Sequence, residues 1–305
     1  MLSRQEQPNP SAAAVQKLRL RYAKRGRLRF TSHRDIARAF ERSLRRAGVP
    51  MAYSQGFSPH PKVSWVGAAP TGVASEAEYV EVQVVRRVDP DTLRHALDAA
   101  LPAGLDVLEA VEAGPGTLAE RIDASRWRIE LPLVPAGRLR AAVRALLAAE
   151  TVPVQRLAKD GRKTLDVRPA IVAAEVLEEE LDTSSTSVTL LTRSAMSSEA
   201  STTGEVDNLP QRRKDDSSAT SSRCGILMVV VRQLTPAVRP DDVLSALGVV
   251  ADLEPPVPAM AIRMEQGRLD DGSRLIDPFA LDRRLIDRAP VGESDGADGA
   301  EVARR

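Results

Sequence analysis

Two histidines, His33 and His60, sit in the most basic stretch of this 305-residue chain. Imidazole titrates near neutrality, so such a pair beside a phosphate is suited to act as general acid and base in cutting RNA without a metal. Thirteen lysines and arginines lie between Val15 and Lys62 against two acids, Asp35 and Glu41, a local excess of +11 in a chain of net charge +1. The remainder therefore sums to about −10; residues 73–120 alone hold ten acids and three arginines. Guanidinium forks match phosphate oxygens, and aromatic faces stack unpaired bases. Seven of the nine aromatics fall between Tyr22 and Tyr79, and a basic surface interleaved with aromatics is the footprint of an RNA-binding site. Arginine outnumbers lysine 37 to 6 over the whole chain, so the clustering is informative and the abundance is not.

Positioning these groups falls to a helix and the loop after it. Ser32–Ala47 reads as a helix, with Ser32 as N-cap, Asp35 three residues on, and Gly48 and Pro50 as its stop. On a helical wheel Arg34, Arg38, Arg42, Arg45 and Arg46 span an arc of about 120°, opposite Ile36, Phe40, Leu44 and Ala47. Glu41 is within i+4 reach of Arg45 and could neutralise part of the stripe. Upstream, Lys24, Arg25, Arg27 and Arg29 surround Gly26, while Phe30 and Phe40 are expected in the core. Downstream, two prolines bracket His60 and Gly56 permits a turn, so Pro50–Trp65 reads as a rigid loop. It would display Tyr53, Ser54, Gln55, Phe57, His60, Lys62 and Trp65 to a ligand. The plainer alternatives are a solvated helix face and a structural connection.

The wider pattern gives two halves of one rhythm. In the first, strands at 17–23, 62–66, 78–85 and 105–110 are interleaved with helices at 32–47 and 90–101. In the second, strands at 126–133, 152–157, 166–177, 225–234 and 259–264 accompany helices at 137–150 and 240–247. The predicted fold class is α+β: two ferredoxin-like (βαββαβ) units in tandem, 15–113 and 124–280, with helices over one face of each sheet. Between Thr183 and Ser222, eighteen of forty residues are Ser or Thr, which reads as a disordered insertion in the second unit. Residues 1–14 and 289–305 read as disordered tails.

Several chemistries are excluded. A single cysteine, Cys224, permits no intrachain disulfide and no multi-cysteine metal or iron–sulfur site. There is no Walker A, no G-x-G-x-x-G after a strand and no H-E-x-x-H. No cofactor and no metal are expected. The polar start and the lack of a long apolar run predict a soluble cytoplasmic protein with no membrane partner.

Three stretches then carry a resemblance: Leu28-Arg29-Phe30-Thr31-Ser32-His33-Arg34-Asp35, Phe40-Glu41-Arg42-Ser43-Leu44-Arg45-Arg46-Ala47-Gly48, and Tyr53-Ser54-Gln55-Gly56-Phe57-Ser58-Pro59-His60-Pro61-Lys62. Together with Glu76-Ala77-Glu78-Tyr79 they resemble the radical SAM-linked domain of unknown function, DUF2344. The likeness is strongest over 17–82, and looser to about residue 280, including Gln266-Gly267-Arg268. Members are fused to, or encoded beside, a radical SAM protein, so the resemblance implies a separate radical SAM enzyme as partner. It implies no catalytic residues.

Three functions are compatible with these residues. The first is an accessory protein that binds RNA or another polyanion and presents substrate to the radical SAM enzyme. Arg29, Arg34, Arg38, Arg42 and Arg45 would contact phosphates; Tyr53, Phe57 and Trp65 would stack; Ser54, Gln55, His60 and Lys62 would make polar contacts. The second is a metal-independent enzyme cutting or modifying RNA with His33 and His60. The third is a protein–protein adaptor with a basic docking face.

Overall fold

The computed structural model describes residues 12–158, 161–180 and 223–286. The expected disordered segments, 183–222 and 289–305, lie outside the described residues, as does 1–14 apart from its last three positions.

Alternating residues build β1 (Gln16–Lys24), followed by a 3-10 turn, Gly26–Phe30, and α1 (His33–Arg46). Ser32 caps α1, its hydroxyl accepting the Asp35 amide at 3.3 Å, and Gly48 takes the positive φ of +66° that ends it. β2 (Val63–Val66) and β3 (Ala74–Val84) lead to α2 (Pro90–Ala100), which Asp89 caps through the Thr92 amide at 2.8 Å, and to β4 (Val107–Glu112). The second half runs β5 (Ala124–Leu131), α3 (Ala136–Ala148), the ribbon β6 (Pro153–Ala158) and β7 (Gly161–Asp166), and β8 (Ile171–Glu180). It continues with β9 (Arg223–Arg232), α4 (Pro240–Ala251) and β10 (Met260–Leu269). A coda, β11 (Leu275–Ile276) and α5 (Ala280–Ile286), had no counterpart in the sequence reading.

Several expected boundaries move: β3 starts at Ala74, β10 runs on to Leu269, and β7 is a strand where a turn was expected. Two further changes have a local cause. The strand expected over 166–177 is broken by a 3-10 turn, Arg168–Ala170, because Pro169 has no amide to give a ladder. The helix expected to stop at Gly248 continues to Ala251, where Asp252 takes the left-handed cap at φ 49°.

The result is a mixed α+β architecture with one large, mostly antiparallel sheet ordered β4-β1-β3-β10-β5-β9-β8, and β2 also on β3. Each half repeats one order, β4-β1-β3-β2 and β10-β5-β9-β8. The halves join where β10 runs parallel to β3, with Ile262 opposite Ala74 and Arg263 opposite Ser75. On one face Leu18, Leu20 and Tyr22 pack against Ile36, Phe40, Leu44, Leu93 and Leu97. Across the join, Trp127, Ile129 and Leu131 pack against Leu139, Val143, Leu146, Val243 and Leu247. Each such side chain contributes roughly 1.5–3 kcal/mol of burial.

The expectation of helices over one face only fails in the first half. The connection 113–123 and α5 cover the other face, where Tyr79, Val111, Leu118, Ile122 and Phe279 form a second small core. Arg19, on the outward side of the strand alternation, is therefore fully buried. It is paired: its Nε donates to Glu81 at 2.8 Å and its Nη1 to both Asp282 oxygens at 2.8 and 2.9 Å. Asp282 also accepts Arg121 and the Gly114 amide, each at 2.8 Å. Removing one partner of a buried ion pair strands the other's charge, at a cost of about 3–5 kcal/mol. Asp282→Ala is expected to lower the unfolding free energy measured in urea by about 3–5 kcal/mol. Asp91→Ala, on the solvated surface of α2, should shift it by less than about 1 kcal/mol.

Candidate nucleic-acid interface

α1 presents its two faces as the wheel requires. Ile36, Phe40 and Leu44 are buried, while Arg34, Arg38, Arg42 and Arg45 are exposed. Arg38 lies 3.5 Å from Asp35, and Arg46 donates to the Ala100 carbonyl at 3.2 Å. The expected Glu41–Arg45 pair does not form. Arg27, Arg34, Arg42 and Arg45 make no ion pair with any described residue, so their charge is unspent.

Other members of the basic cluster are committed internally. Lys17, Arg19, Arg21 and Arg25 face Glu81, Asp282, Glu109 and Glu76. Arg25 also pairs with Asp106 at 2.8 Å, and its hydrogen bonds to Glu76 raise an already high guanidinium pKa. Lys24 is buried and donates to the Pro70 carbonyl at 3.0 Å; burial lowers its pKa, with Glu78 opposing the shift. Strand alternation alone does not reveal that both faces are covered, so these residues read as available from sequence.

The loop is held at its base. The Ser54 amide donates to the His60 carbonyl at 2.8 Å, and the His60 amide donates to Ser54 Oγ at 2.9 Å. Tyr53 and Pro61 form a bridge, and the Ala52 amide reaches the Gln83 carbonyl at 2.8 Å, fastening the loop to β3. Gly56, at φ +131°, occupies backbone space that other residues rarely adopt. From this frame Phe57 projects with 90% of its surface exposed; Tyr53, Gln55 and His60 are exposed, and Ser54 and Lys62 half-buried.

Trp65 is half-buried instead of displayed. Its ring meets Phe40 at 5.1 Å, Tyr22 at 6.0 Å and His33 at 5.3 Å, all edge-on. His33 is thus tied to Trp65 and His60 to Ser54, with no ring contact or hydrogen bond between the two histidines. Phe30 reverses its expectation: the 3-10 turn leaves it 60% exposed, with the Arg29 guanidinium 4.6 Å from its ring centre. Arg29 itself turns toward Met260 of β10. Among the described residues no group of three or more His, Cys, Asp or Glu side chains is placed to hold a metal ion, and no helix is long and apolar enough to cross a membrane.

Behind the surface lies a buried polar seam that sequence reasoning missed. Glu78, 1% exposed, accepts the Ala69 amide at 2.9 Å and pairs with Arg263, whose guanidinium also lies 5.3 Å from the Trp127 ring. Gln266 donates to the Ala77 carbonyl at 2.6 Å. The signal was present in Glu76-Ala77-Glu78-Tyr79 and Gln266-Gly267-Arg268, two runs with polar side chains inside strands.

A family model described as an uncharacterized protein conserved in bacteria, DUF2344, matches residues 17–210. The chain belongs to this family. The DUF2344 match takes in the basic helix, the clipped loop and Glu76–Tyr79, and it ends before β9, so Arg263 and Gln266 lie beyond it. No curated protein shows a significant match to the chain.

Ser54→Ala removes the acceptor of the His60 amide, a bond of about 0.5–1.5 kcal/mol net. Hydrogen exchange of the 53–61 amides is expected to quicken several-fold, with the global unfolding midpoint nearly unchanged. Unchanged exchange would show that the clip does not hold the loop.

Proposed function

We propose that this chain is a cytoplasmic accessory protein that binds RNA and presents it to a separate radical SAM enzyme in RNA modification. The observation that carries the reading is the set of exposed arginines, Arg34, Arg42 and Arg45, on one side of α1 with no ion-pair partner among the described residues, in a chain that neutralises so many of its other arginines internally. Phosphate oxygens are the natural partner of such a row, and Phe57 and Tyr53 on the neighbouring loop offer faces for unpaired bases. The repeated strand order supports the finer fold reading, two ferredoxin-like units over 15–113 and 124–280. That fold hosts many functions, so it is the surface residues that point to RNA. The enzyme partner comes from the family resemblance, and the buried seam would keep the RNA-bearing half fixed relative to the half left for docking.

Each arginine on a phosphate releases counterions, so the logarithm of affinity should fall with the logarithm of salt by roughly 0.7–0.9 per contact. Filter binding to bulk tRNA at about 50–200 mM salt should show a steep slope for the wild type. Arg34→Ala/Arg42→Ala/Arg45→Ala should weaken binding at least about tenfold and flatten the slope by about two to three. Immeasurable wild-type affinity at about 50 mM salt, or an unaltered slope in the triple variant, would overturn the proposal. RNA turnover by the wild type that is abolished in His60→Ala would mark the chain as an enzyme.

A further inference from the structure

A second feature lies at the seam between the halves, on the side away from Arg263. The 3-10 turn and the start of β10 enclose a cleft of about 620 Å³, within the range that holds a small ligand, roughly 300–1,000 Å³. Its walls include Arg29 and Phe30 from the first half and Pro258 and Met260 from the second.

Arg29 is poorly satisfied there. Its Nε is buried without a hydrogen-bond partner, and Nη1 reaches only the Met260 thioether at 3.8 Å. Thioether sulfur is a weak acceptor, and a buried guanidinium donor left unpaired is costly. Arg25, lining the same cleft, is by contrast matched by Glu76 and Asp106, so Glu76 is already neutralised and does not compete for Arg29. Beside Arg29, Phe30 is 60% and Met260 41% exposed, an apolar surface with one free ring face. A ligand that satisfies both carries an anionic oxygen group next to a flat apolar ring.

We propose that this cleft holds one nucleotide of a single-stranded RNA, with its phosphate on the Arg29 guanidinium and its base against Phe30 and Met260. The assignment rests on the RNA reading above for the source of the nucleotide, and the cleft chemistry is independent of the α1 arginines. Phe30 precedes His33 and Arg34 by three and four residues, so a strand leaving the cleft meets the basic helix at its first turn. Both halves contribute to the site, which makes nucleotide binding sensitive to their junction.

The test titrates the full chain with a labelled single-stranded 12-nucleotide RNA and competes it with 5′-AMP or inorganic phosphate. Arg29→Ala and Phe30→Ala should each weaken RNA binding about tenfold, since stacking and a charge-assisted phosphate contact each carry that order of effect. Only Arg29→Ala should flatten the salt slope, by about one contact's worth. 5′-AMP should compete far better than phosphate against the wild type, and no better than phosphate against Phe30→Ala. Among the described residues the Arg29 side chain makes no ion pair, and Arg29→Lys, which keeps charge without the fork, should recover part of the affinity. Wild-type affinity in both Arg29→Ala and Phe30→Ala, with loss only in the α1 triple variant, would overturn the cleft while leaving the RNA reading intact. Equal competition by phosphate and 5′-AMP would reduce the cleft to an anion site and overturn the base contact. 5′-AMP binding as tight as the 12-mer would overturn RNA as the source in favour of a free nucleotide. Failure of the wild type to bind the 12-mer at all would sink the RNA reading itself.

Discussion

Glu78 is the point on which the two halves close. Its carboxylate, almost wholly removed from water, takes the Arg263 guanidinium from β10 and the Ala69 amide from the loop between β2 and β3. Lys24 holds the same loop from the other side through the Ala69 and Pro70 carbonyls. Burial together with the Glu78 charge pushes the neighbouring Tyr22 phenol well above its ordinary pKa, so that hydroxyl stays neutral inside the core. An ion pair in this setting adds little net stability over an apolar packing of the same shape, but losing one member is severe. Its role is therefore registry. The parallel pairing of β10 with β3 covers two residue pairs, too short to fix the junction by ladder hydrogen bonds alone.

The residues of the interface depend on that registry at one remove. Trp65, at the end of β2, is locked between Phe40 and His33, and the chain passes from it directly into the loop that Glu78 and Lys24 hold. Phe40 in turn sets the rotation of α1, turning its arginines outward. Gln266 adds a second tie across the junction through the Ala77 carbonyl, and a Cβ at Gly267 would fall 2.2 Å from the Ile276 carbonyl, so only glycine fits under β11. Ala77, Glu78, Arg263, Gln266 and Gly267 thus act together as parts of one junction, far apart in sequence and joined in space.

Much of α1 and its loop was legible because helical and turn signals are local: the Ser32 cap, the 3.6-residue spacing of Ile36, Phe40 and Leu44, and the proline bracket around His60 each need only nearby residues. What was hidden is set by distant chain. Alternation in β1 sorts Arg19 and Arg21 from Leu18 and Leu20, yet only the arrival of α5, more than 250 residues later, decides that Arg19 is buried against Asp282. Lys24 and Arg25 read as part of a free basic cluster for the same reason. Phe30 failed in the opposite direction, since hydrophobicity suggested burial and a 3-10 turn placed the ring outside. The unspent positive charge is consequently smaller than the +11 counted along the sequence, but more concentrated, on α1 and the turn before it.

Whether this concentrated charge and the aromatic side chains around it form an RNA surface is decided by ultraviolet crosslinking in cells followed by identification of the crosslinked peptides. RNA adducts are expected on peptides carrying Phe30, Tyr53 and Phe57. Adducts confined to residues 124–286, or recovery of the chain with its protein partners and no RNA, would contradict it.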